Sequence, residues 1–270
     1  MRVFRVTLCC APGATALGLL LLCAVSVGPG HGSAARTGEG AGISPADRSA
    51  PVLPPAAVPL RPSAGGAHTA AEPRIVPRSK WLADAAYRRP PARYADRVTA
   101  VFLHHTDSPN DYDCADTPRI IRYLYAGQAG GRHWDDIGYN FLVDRCGTVY
   151  EGRAGGVDKA VVGAHAQGFN KGTAGIAAIG TFNKGTPVPP AMAESIAAVA
   201  AWKLGLSNID ARSRVRLVST NSLSRYPKGT AAEFNAIAAH RDGYETTCPG
   251  EALMAALPDI RRRAAELQGR

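Results

Sequence analysis

Four apolar stretches in the middle of the chain predict β-strands. Residues 98–104 (VTAVFLH) form a β-branched and apolar run, which is typical of a buried strand. Residues 139–144 (YNFLVD) and 148–152 (TVYEG) flank an Arg-Cys-Gly turn, and this arrangement predicts a β-hairpin. The short apolar run GIAAIG at residues 175–180 predicts another buried strand.

Helical patterns alternate with these strands. Residues 117–127 begin with Thr-Pro, a favourable helix start, and carry apolar residues at helical spacing. An Ala-rich helix is expected over residues 190–204, ending before Gly205, and a second Ala- and Leu-rich helix over residues 250–267. Residues 207–235 are polar and irregular, so we expect a long loop there. Strands interleaved with helices predict an α/β fold with a central sheet and helices on its faces.

The N-terminal segment has the pattern of an export signal. Arg2 and Arg5 precede an apolar run at residues 17–27 (LGLLLLCAVSV), and small residues follow at 32–35. This order predicts a signal peptide over residues 1–35. The apolar run is too short to span about 30 Å of hydrocarbon comfortably, so a retained transmembrane helix is disfavoured.

The next segment has no apolar period that could build a core. Residues 36–72 are rich in Pro, Ala, Gly and Ser, which predicts a disordered linker, and residues 73–270 then form one domain. The formal charge of the whole chain is +9, and loss of the two signal-peptide arginines lowers it to +7. A basic exported protein suits an anionic cell wall. Its basic residues are scattered and no nucleic-acid-binding motif is present, so we expect no nucleic-acid partner.

The cysteine count poses a pairing problem. Three of the six cysteines lie in the predicted signal peptide, which leaves Cys114, Cys146 and Cys248. An odd count in an oxidising compartment leaves one thiol to be explained. Because Cys248 shares the run AHRDGYETTCPG (residues 239–250) with His240, we favour a Cys114–Cys146 disulfide and a metal-ligating Cys248. The alternative is that Cys248 is disulfide-bonded and another cysteine is free.

Histidines supply further candidate ligands. A catalytic zinc site holds about three protein ligands and leaves one position open for water. His104 and His105 stand at the end of the first predicted strand, and one of them could join His240 and Cys248 in a His₂Cys site. The spacing of His240 and Cys248 is weak evidence by itself, because such pairs arise by chance. A papain-like hydrolase with Cys248 as nucleophile is a rival hypothesis, which predicts sensitivity to thiol alkylation and no metal requirement.

Six sequence blocks cover nearly all of residues 73–260. They are PRIVPRSKW (73–81), VFLHHTDS (101–108), WDDIGYNFLVDRCGTVYEGR (134–153), VVGAHAQGFN (161–170), GIAAIGTF (175–182) and AHRDGYETTCPG (239–250). In this order they resemble the peptidoglycan recognition protein and type 2 N-acetylmuramoyl-L-alanine amidase family, and six ordered blocks are far more specific than one. The resemblance implies a single α/β domain with a central mixed β-sheet flanked by α-helices. It also implies a bacterial, secreted, cell-wall-associated enzyme that requires Zn²⁺.

The resemblance assigns roles to individual residues. His104, His240 and Cys248 match the family's zinc ligands. Tyr139 and Thr246 match positions beside the zinc in catalytic members, and we expect Tyr139 to be the general base. Non-catalytic relatives that only bind cell wall typically lack the cysteine ligand, which this chain keeps. The implied reaction is hydrolysis of the amide between the lactyl group of N-acetylmuramic acid and L-alanine of the peptidoglycan stem peptide.

Two residues bear on the type of stem peptide. In relatives, residues matching Trp134 and Arg153 accompany stems that contain diaminopimelate, whose extra carboxylate a planar guanidinium can bind through two hydrogen bonds. His133 departs from the pattern, since relatives usually have glycine there. The alternative is that Trp134 is an ordinary packing residue and Arg153 an ordinary surface residue.

Further contacts and partners follow from the same resemblance. His105, His165 and Asn170 are candidate contacts to the substrate, with structural roles as the alternative. The expected partners are peptidoglycan and muropeptides, and we expect the protein to act as a monomer without an integral membrane span. The alternative function is a recognition module that binds peptidoglycan and does not cleave it.

Overall fold

The computed structural model describes residues 68–83 and 89–270. The predicted signal peptide (residues 1–35) and the predicted linker up to residue 67 lie outside the described residues. In the remaining part of the predicted linker, Ala70 packs against the core of the domain. Among the described residues, no helix combines the length and the apolar character needed to cross a membrane.

Eight strands form a six-stranded central sheet and a separate two-stranded ribbon. In chain order they are β1 (Ile75–Val76), β2 (Ala100–His105), β3 (Phe141–Val143), β4 (Val149–Glu151), β5 (Thr173–Ala178), β6 (Arg214–Val218), β7 (Ala231–Asn235) and β8 (Ile237–Ala239). The order across the central sheet is β1-β4-β3-β5-β2-β8. Strands β3 and β4 are antiparallel and the other neighbours are parallel, so the sheet is mixed, as expected. The ribbon is the antiparallel pair β6 and β7.

Helices cover both faces of the sheet. They are α1 (Thr117–Tyr125), α2 (Pro190–Gly205), α3 (His240–Gly243) and α4 (Glu251–Leu267), with short 3₁₀ turns at Arg78–Lys80 and Cys114–Asp116 and a π-helical turn at Ala126–Gly131. Helices α2 and α4 share one hydrophobic cluster with Val101 and Leu103 of β2. Helix α1 packs on the opposite face, over Leu142 and Ala177. The predicted α/β architecture is therefore confirmed.

The apolar pattern did not predict strands β1 and β8 or helix α3, and it missed the two strands in the region 207–235. The strands and helices expected from the apolar pattern are all present, with ends shifted by two residues or fewer. The long loop expected over residues 207–235 is wrong, because this region contains β6 and β7. Residues 214–218 (RVRLV) alternate charged and apolar side chains, which is the pattern of a half-exposed strand. Twelve residues separate β6 from its partner, so no short turn signalled the pairing.

Alternation along β2 decides which side chains reach each face of the sheet. Val101 and Leu103 point into the cluster below α2 and α4, so Phe102 and His104 point to the other face. On that face the neighbouring strand β5 offers only small residues, because Phe102 pairs with Gly175 and His104 pairs with Ala177. These small residues leave room above the sheet beside His104.

A disulfide joins the start of α1 to the β3–β4 turn. Cys114 and Cys146 are bonded, with their Cα atoms 6.3 Å apart, as the cysteine count predicted. Cys248 is the free cysteine of the described residues, and it is buried. The alternative in which Cys248 is disulfide-bonded is therefore wrong.

The buried carboxylate of Asp144 holds the same turn through four hydrogen bonds. One carboxylate oxygen accepts the backbone N–H groups of Cys146 (3.0 Å) and Thr148 (2.8 Å). The other accepts the hydroxyls of Thr117 (3.1 Å) and Tyr150 (3.3 Å). The carboxylate thus ties the first residue of α1 to the hairpin that leads from β3 to β4.

Replacement of Asp144 should destabilise the domain strongly. The Asp144→Ala variant leaves two partly buried backbone N–H groups and two buried hydroxyls without this acceptor, so we expect the free energy of unfolding to fall by about 3 kcal/mol or more. Urea unfolding followed by circular dichroism measures this loss. Asp111→Ala, at an exposed aspartate nearby, is the matched control and should change stability by no more than about 0.5 kcal/mol. Equal stability of the two variants would contradict the role given to Asp144.

Candidate metal centre

Three donor side chains meet at one edge of the central sheet. His104, His240 and Cys248 place a ring nitrogen, a ring nitrogen and a sulfur within 4.8 Å of one another. The Sγ atom of Cys248 lies 3.9 Å from Nδ1 of His104. In a tetrahedral zinc site with bonds of about 2.0–2.3 Å, donor atoms lie about 3.3–3.6 Å apart. The three donors therefore fit zinc after small side-chain movements, and they leave a fourth position for water or substrate.

The strand register explains why these donors meet. Strand β8 runs parallel to β2, with Ala239 opposite Leu103. His240 and His104 follow these paired residues directly, so their rings emerge side by side, with centroids 4.4 Å apart. Cys248 then joins them from the loop after α3.

Burial keeps both imidazoles neutral. Burial and the neighbouring histidines His240, His165 and His105 hold the pKa of His104 well below its usual value. Burial, with a smaller effect of His105, lowers the pKa of His240 to about 4. Neutral imidazole is the form that binds a metal, so these two rings are available as ligands at neutral pH.

Cys248 has the environment of a metal ligand and not of a free nucleophile. Burial raises the pKa of its thiol to about 12, although the backbone N–H of His105 donates to Sγ at 3.3 Å. Nucleophilic cysteines have a lowered pKa, supplied by a nearby positive charge. Here the nearest histidines are neutral, so the geometry does not support the papain-like alternative. A bound divalent cation would supply the charge that stabilises the thiolate.

The loop that carries His240 and Cys248 is held by its own backbone. The N–H of Arg241 donates to the carbonyl of Cys248 at 3.0 Å, and this bond closes the loop. Thr246 Oγ1 accepts the N–H of Cys248 at 3.2 Å, so Thr246 lies against the cysteine as predicted from the family blocks. The ring of Tyr244 stacks on His240 with centroids 5.4 Å apart and an interplanar angle of 9°. Nothing in the sequence pattern had singled out Tyr244.

Tyr139 lies on the other side of His104. Its ring centroid is 5.3 Å from that of His104. Burial raises the pKa of the Tyr139 hydroxyl to about 12, and the hydrogen bond with Gln128 and the charge of Arg132 only partly oppose this. The hydroxyl is therefore protonated at neutral pH and can donate a hydrogen bond. Gln128 lies in the π-helical turn after α1, and an irregular turn of this kind gave no sequence signal.

The predicted substrate contacts in the 161–170 block face inward. His165 is 6% exposed, and its Nδ1 lies 3.2 Å from Nε2 of His104. The side-chain oxygen of Asn170 accepts the N–H groups of His165 and Ala166, both at 2.8 Å. Asn170 thus shapes the loop, and His165 lies directly behind the first ligand.

The other predicted contacts are made with residues outside the donor set. His105 points away from the three donors, and its Nδ1 is 3.5 Å from the N–H of Phe182. Trp134 is partly buried, and the guanidinium of Arg132 lies 5.7 Å above its ring. Arg153 donates to the carbonyl of Ile137 at 3.2 Å and forms an ion pair with Asp135, with a nitrogen–oxygen distance of 3.8 Å. His105 is therefore next to a ligand without being a donor, and the charge of Arg153 adds to the lowering of the pKa of His165 by burial.

Carboxylates also approach the site, although the sequence analysis found no candidate. Asp107 and Glu251 both raise the pKa of His105, against the larger lowering by burial. Asp107 also raises the pKa of Cys248. Asp107 belongs to the same VFLHHTDS block as His104, so the sequence could have suggested it as a candidate. Its proximity to Cys248 could not be read from the sequence.

Adjacent histidines allow a sharp test of the donor set. His104→Ala removes a donor, so we expect zinc affinity to fall by more than roughly 100-fold. Loss of a hydrogen-bond partner outside the donor set costs up to roughly that amount, and loss of a donor should cost more. His105→Ala is the matched control and should keep one zinc per chain, because its ring points away from the donors. Zinc content after dialysis and competition with a chromophoric chelator measure both variants. Loss of zinc from His105→Ala but not from His104→Ala would overturn the assignment.

Comparisons with known proteins identify the family. A family model described as N-acetylmuramoyl-L-alanine amidase matches residues 94–251. The N-acetylmuramoyl-L-alanine amidase of Sus scrofa is 32% identical over 186 residues, which are 67% of this chain and 26% of the relative. Peptidoglycan-recognition protein LE of Drosophila melanogaster is 37% identical over 123 residues, 44% of this chain and 33% of the relative. The chain thus spans a third or less of the length of these two relatives.

Solved structures give the same result for the fold. Peptidoglycan recognition protein-LE in complex with tracheal cytotoxin, a monomeric diaminopimelic acid-type peptidoglycan, superposes with a TM-score of 0.50 at 28% identity, over 73% of this chain and 93% of that chain. Wild-type Drosophila PGRP-LB gives a TM-score of 0.51 at 25% identity, over 67% of this chain and 91% of that chain. The family model matches more than half of the chain. This chain therefore belongs to the peptidoglycan recognition protein and type 2 N-acetylmuramoyl-L-alanine amidase family.

Proposed function

We propose that this protein is a zinc-dependent N-acetylmuramoyl-L-alanine amidase. It hydrolyses the amide between the lactyl group of N-acetylmuramic acid and L-alanine of the stem peptide. The observation that carries the proposal is the complete donor set of His104, His240 and Cys248, with a protonated tyrosine hydroxyl beside it. A module that only binds its ligand has no need of three converging, desolvated donors with an open fourth position.

The residues around the proposed metal have different roles in the reaction. When bound, zinc would lower the pKa of water from 15.7 to about 7 and polarise the scissile carbonyl. His104, His240 and Cys248 would hold it. Tyr139, which stays protonated, donates a hydrogen bond to the negative charge that develops on the substrate. The hydroxyl of Thr246 already accepts the N–H of Cys248, so its proton is available to a substrate oxygen.

This division changes the role of Tyr139. The sequence analysis expected a general base there, but a hydroxyl with a pKa of about 12 is a poor proton acceptor at neutral pH. We assign it the role of a hydrogen-bond donor. Thr246 remains the second member of the catalytic set.

The proposed substrate is peptidoglycan, or muropeptides released from it. Support comes from the family and from a relative of similar fold that was solved with a monomeric diaminopimelic acid-type peptidoglycan. We propose that Arg153, whose charge acts on His165, pairs with the diaminopimelate carboxylate in exchange for its contact to Asp135, and that Trp134 is a further contact. His105 points away from the donors, so we assign it no contact with the substrate.

We further propose that the protein acts outside the cell, at the cell wall, as a monomer. The Cys114–Cys146 disulfide is of a kind that persists in oxidising compartments. The positive net charge favours association with an anionic wall, and that attraction weakens with added salt.

A cleavage assay tests the proposed reaction. The purified chain is incubated with diaminopimelate-type muropeptide, with chelator, and with chelator followed by added zinc, and products are identified by mass spectrometry. We expect intact stem peptide with a free L-alanine amino group, lost on chelation and restored by zinc. Binding of muropeptide without any cleavage, in zinc-loaded protein, would establish the alternative function of a recognition module.

A second prediction concerns the hydroxyl of Tyr139. Tyr139→Phe removes one hydrogen-bond donor and keeps the ring, so we expect kcat to fall by about 100-fold while zinc affinity is unchanged. Tyr123→Phe, at an exposed tyrosine of α1, is the control and should have wild-type kcat. Steady-state kinetics of zinc-loaded variants provide the comparison. A wild-type kcat in Tyr139→Phe would remove Tyr139 from the mechanism.

A further inference from the structure

A second buried histidine lies directly behind His104. Nε2 of His104 is 3.2 Å from Nδ1 of His165, which is hydrogen-bonding distance. The opposite ring nitrogen of His104, Nδ1, is the one that faces Sγ of Cys248 at 3.9 Å. His104 thus presents one nitrogen to the donor set and the other to His165.

The protons on this pair follow from the geometry. If Nδ1 of His104 is to bind a cation, its lone pair must be free, and the ring proton must then sit on Nε2. A buried N–H needs an acceptor, and Nδ1 of His165 lies in hydrogen-bonding distance. Nε2 of His165 then carries the other proton. Among the described residues that atom has no hydrogen-bond partner, although it is fully buried.

The sheet leaves a slot for the His165 ring. A Cβ atom on Gly175 would lie 2.4 Å from Cγ of His165, and one on Gly163 would lie 2.6 Å from its Cδ2. Gly175 is in the middle of β5, and a glycine in the interior of a strand weakens it. Its presence there therefore needs a structural explanation. The reason here is that any side chain at this position would displace the histidine ring. Phe102 forms another wall of the slot, with its ring centroid 6.3 Å from that of His165.

The backbone of His165 is fixed as firmly as its ring. The single side-chain oxygen of Asn170 accepts the N–H groups of His165 and of Ala166. The side chain of Asn140 reaches the same region, because its Nδ2 donates to Val161 O at 3.0 Å and its Oδ1 accepts the N–H of Gly175 at 2.8 Å. The ring is therefore positioned from both the loop and the sheet.

We propose that His165 is a positioning residue that accepts a hydrogen bond from Nε2–H of His104 and so directs Nδ1 of His104 to the zinc. This inference rests on the proposed zinc site and assigns His165 a role other than contact with the substrate. Outer partners of metal-ligating histidines typically change metal affinity by roughly 10- to 100-fold. His165 should therefore act on zinc affinity even when no substrate is present.

Two substitutions separate the hydrogen bond from the packing. His165→Phe keeps a ring in the slot but removes the acceptor, and we expect the zinc dissociation constant to rise by roughly 10- to 100-fold. His165→Asn loses the ring but places an amide oxygen near the position of Nδ1, so it should retain most of the wild-type affinity. Gly175→Ala keeps the histidine and displaces its ring, and should weaken zinc binding as His165→Phe does. His68→Ala, remote from the site, is the control.

The measurement is competition for zinc against a chromophoric chelator, with the full chain and no substrate. Visible spectra of the cobalt-substituted proteins report whether the ligand geometry changes. Wild-type zinc affinity in His165→Phe, or equal losses in His165→Phe and His165→Asn, would overturn the proposal. A raised KM with unchanged zinc affinity in His165→Phe would show instead that the residue contacts substrate.

The same experiment keeps the two proposals apart. If wild-type protein binds zinc, and His165→Phe weakens the binding, but wild type cleaves no muropeptide, the proposed function fails and the positioning role stands. If wild type binds zinc and cleaves muropeptide but His165→Phe binds zinc normally, only the positioning role fails. If wild type binds no zinc, both fail.

Discussion

Parallel pairing of β2 with β8 is the contact on which the metal centre depends. Opposite residues in parallel strands leave the sheet at the same edge, and here the residues that follow the pair Leu103 and Ala239 are His104 and His240. Two histidines that are 136 positions apart in the chain thus come within ring contact without any loop having to hold them. Cys248 alone depends on a loop, and the hydrogen bond from Arg241 to its carbonyl closes that loop. A rigid sheet edge supplies the accuracy that a metal site needs.

Burial then sets the protonation states of the three donors and of Tyr139. Removal from water disfavours every charged form, so the imidazoles of His104 and His240 remain neutral and the thiol of Cys248 holds its proton. A neutral imidazole offers a lone pair to a cation, whereas an imidazolium repels it. A bound cation would also stabilise the thiolate of Cys248. The same desolvation keeps Tyr139 protonated. One physical cause thus prepares the metal ligands and a hydrogen-bond donor beside them.

Small residues are as important to the site as the ligands. Gly175 and Ala177 on β5 leave the space that His165 and His104 occupy, and Gly163 completes the slot. On the opposite face of β5, Ile176 packs into the core between Ala174 and Ala178. The two histidine rings therefore fit against the sheet because the residues beneath them are small.

The sequence by itself predicted four of the eight strands, three of the helices, the Cys114–Cys146 disulfide and a candidate donor set. Apolar runs identify buried strands because their period and composition differ from those of helices, and six ordered blocks identify the family. The ribbon of β6 and β7 was missed because half-exposed strands joined by a long connection resemble a polar loop.

Only the tertiary structure decided what each residue faces. His104 and His105 are adjacent and chemically identical, and the alternation of β2 sends one to the donors and the other away from them. His165 and Asn170 looked alike as substrate contacts, but the fold turns both inward, one toward His104 and one toward the loop backbone. For Tyr139, burial raises the pKa of the hydroxyl, and this supports the proposed role of a hydrogen-bond donor over that of a general base. The sequence contains the type of each residue and the spacing of apolar positions. The direction of a side chain, its burial and its neighbours across the sheet depend on how the chain folds.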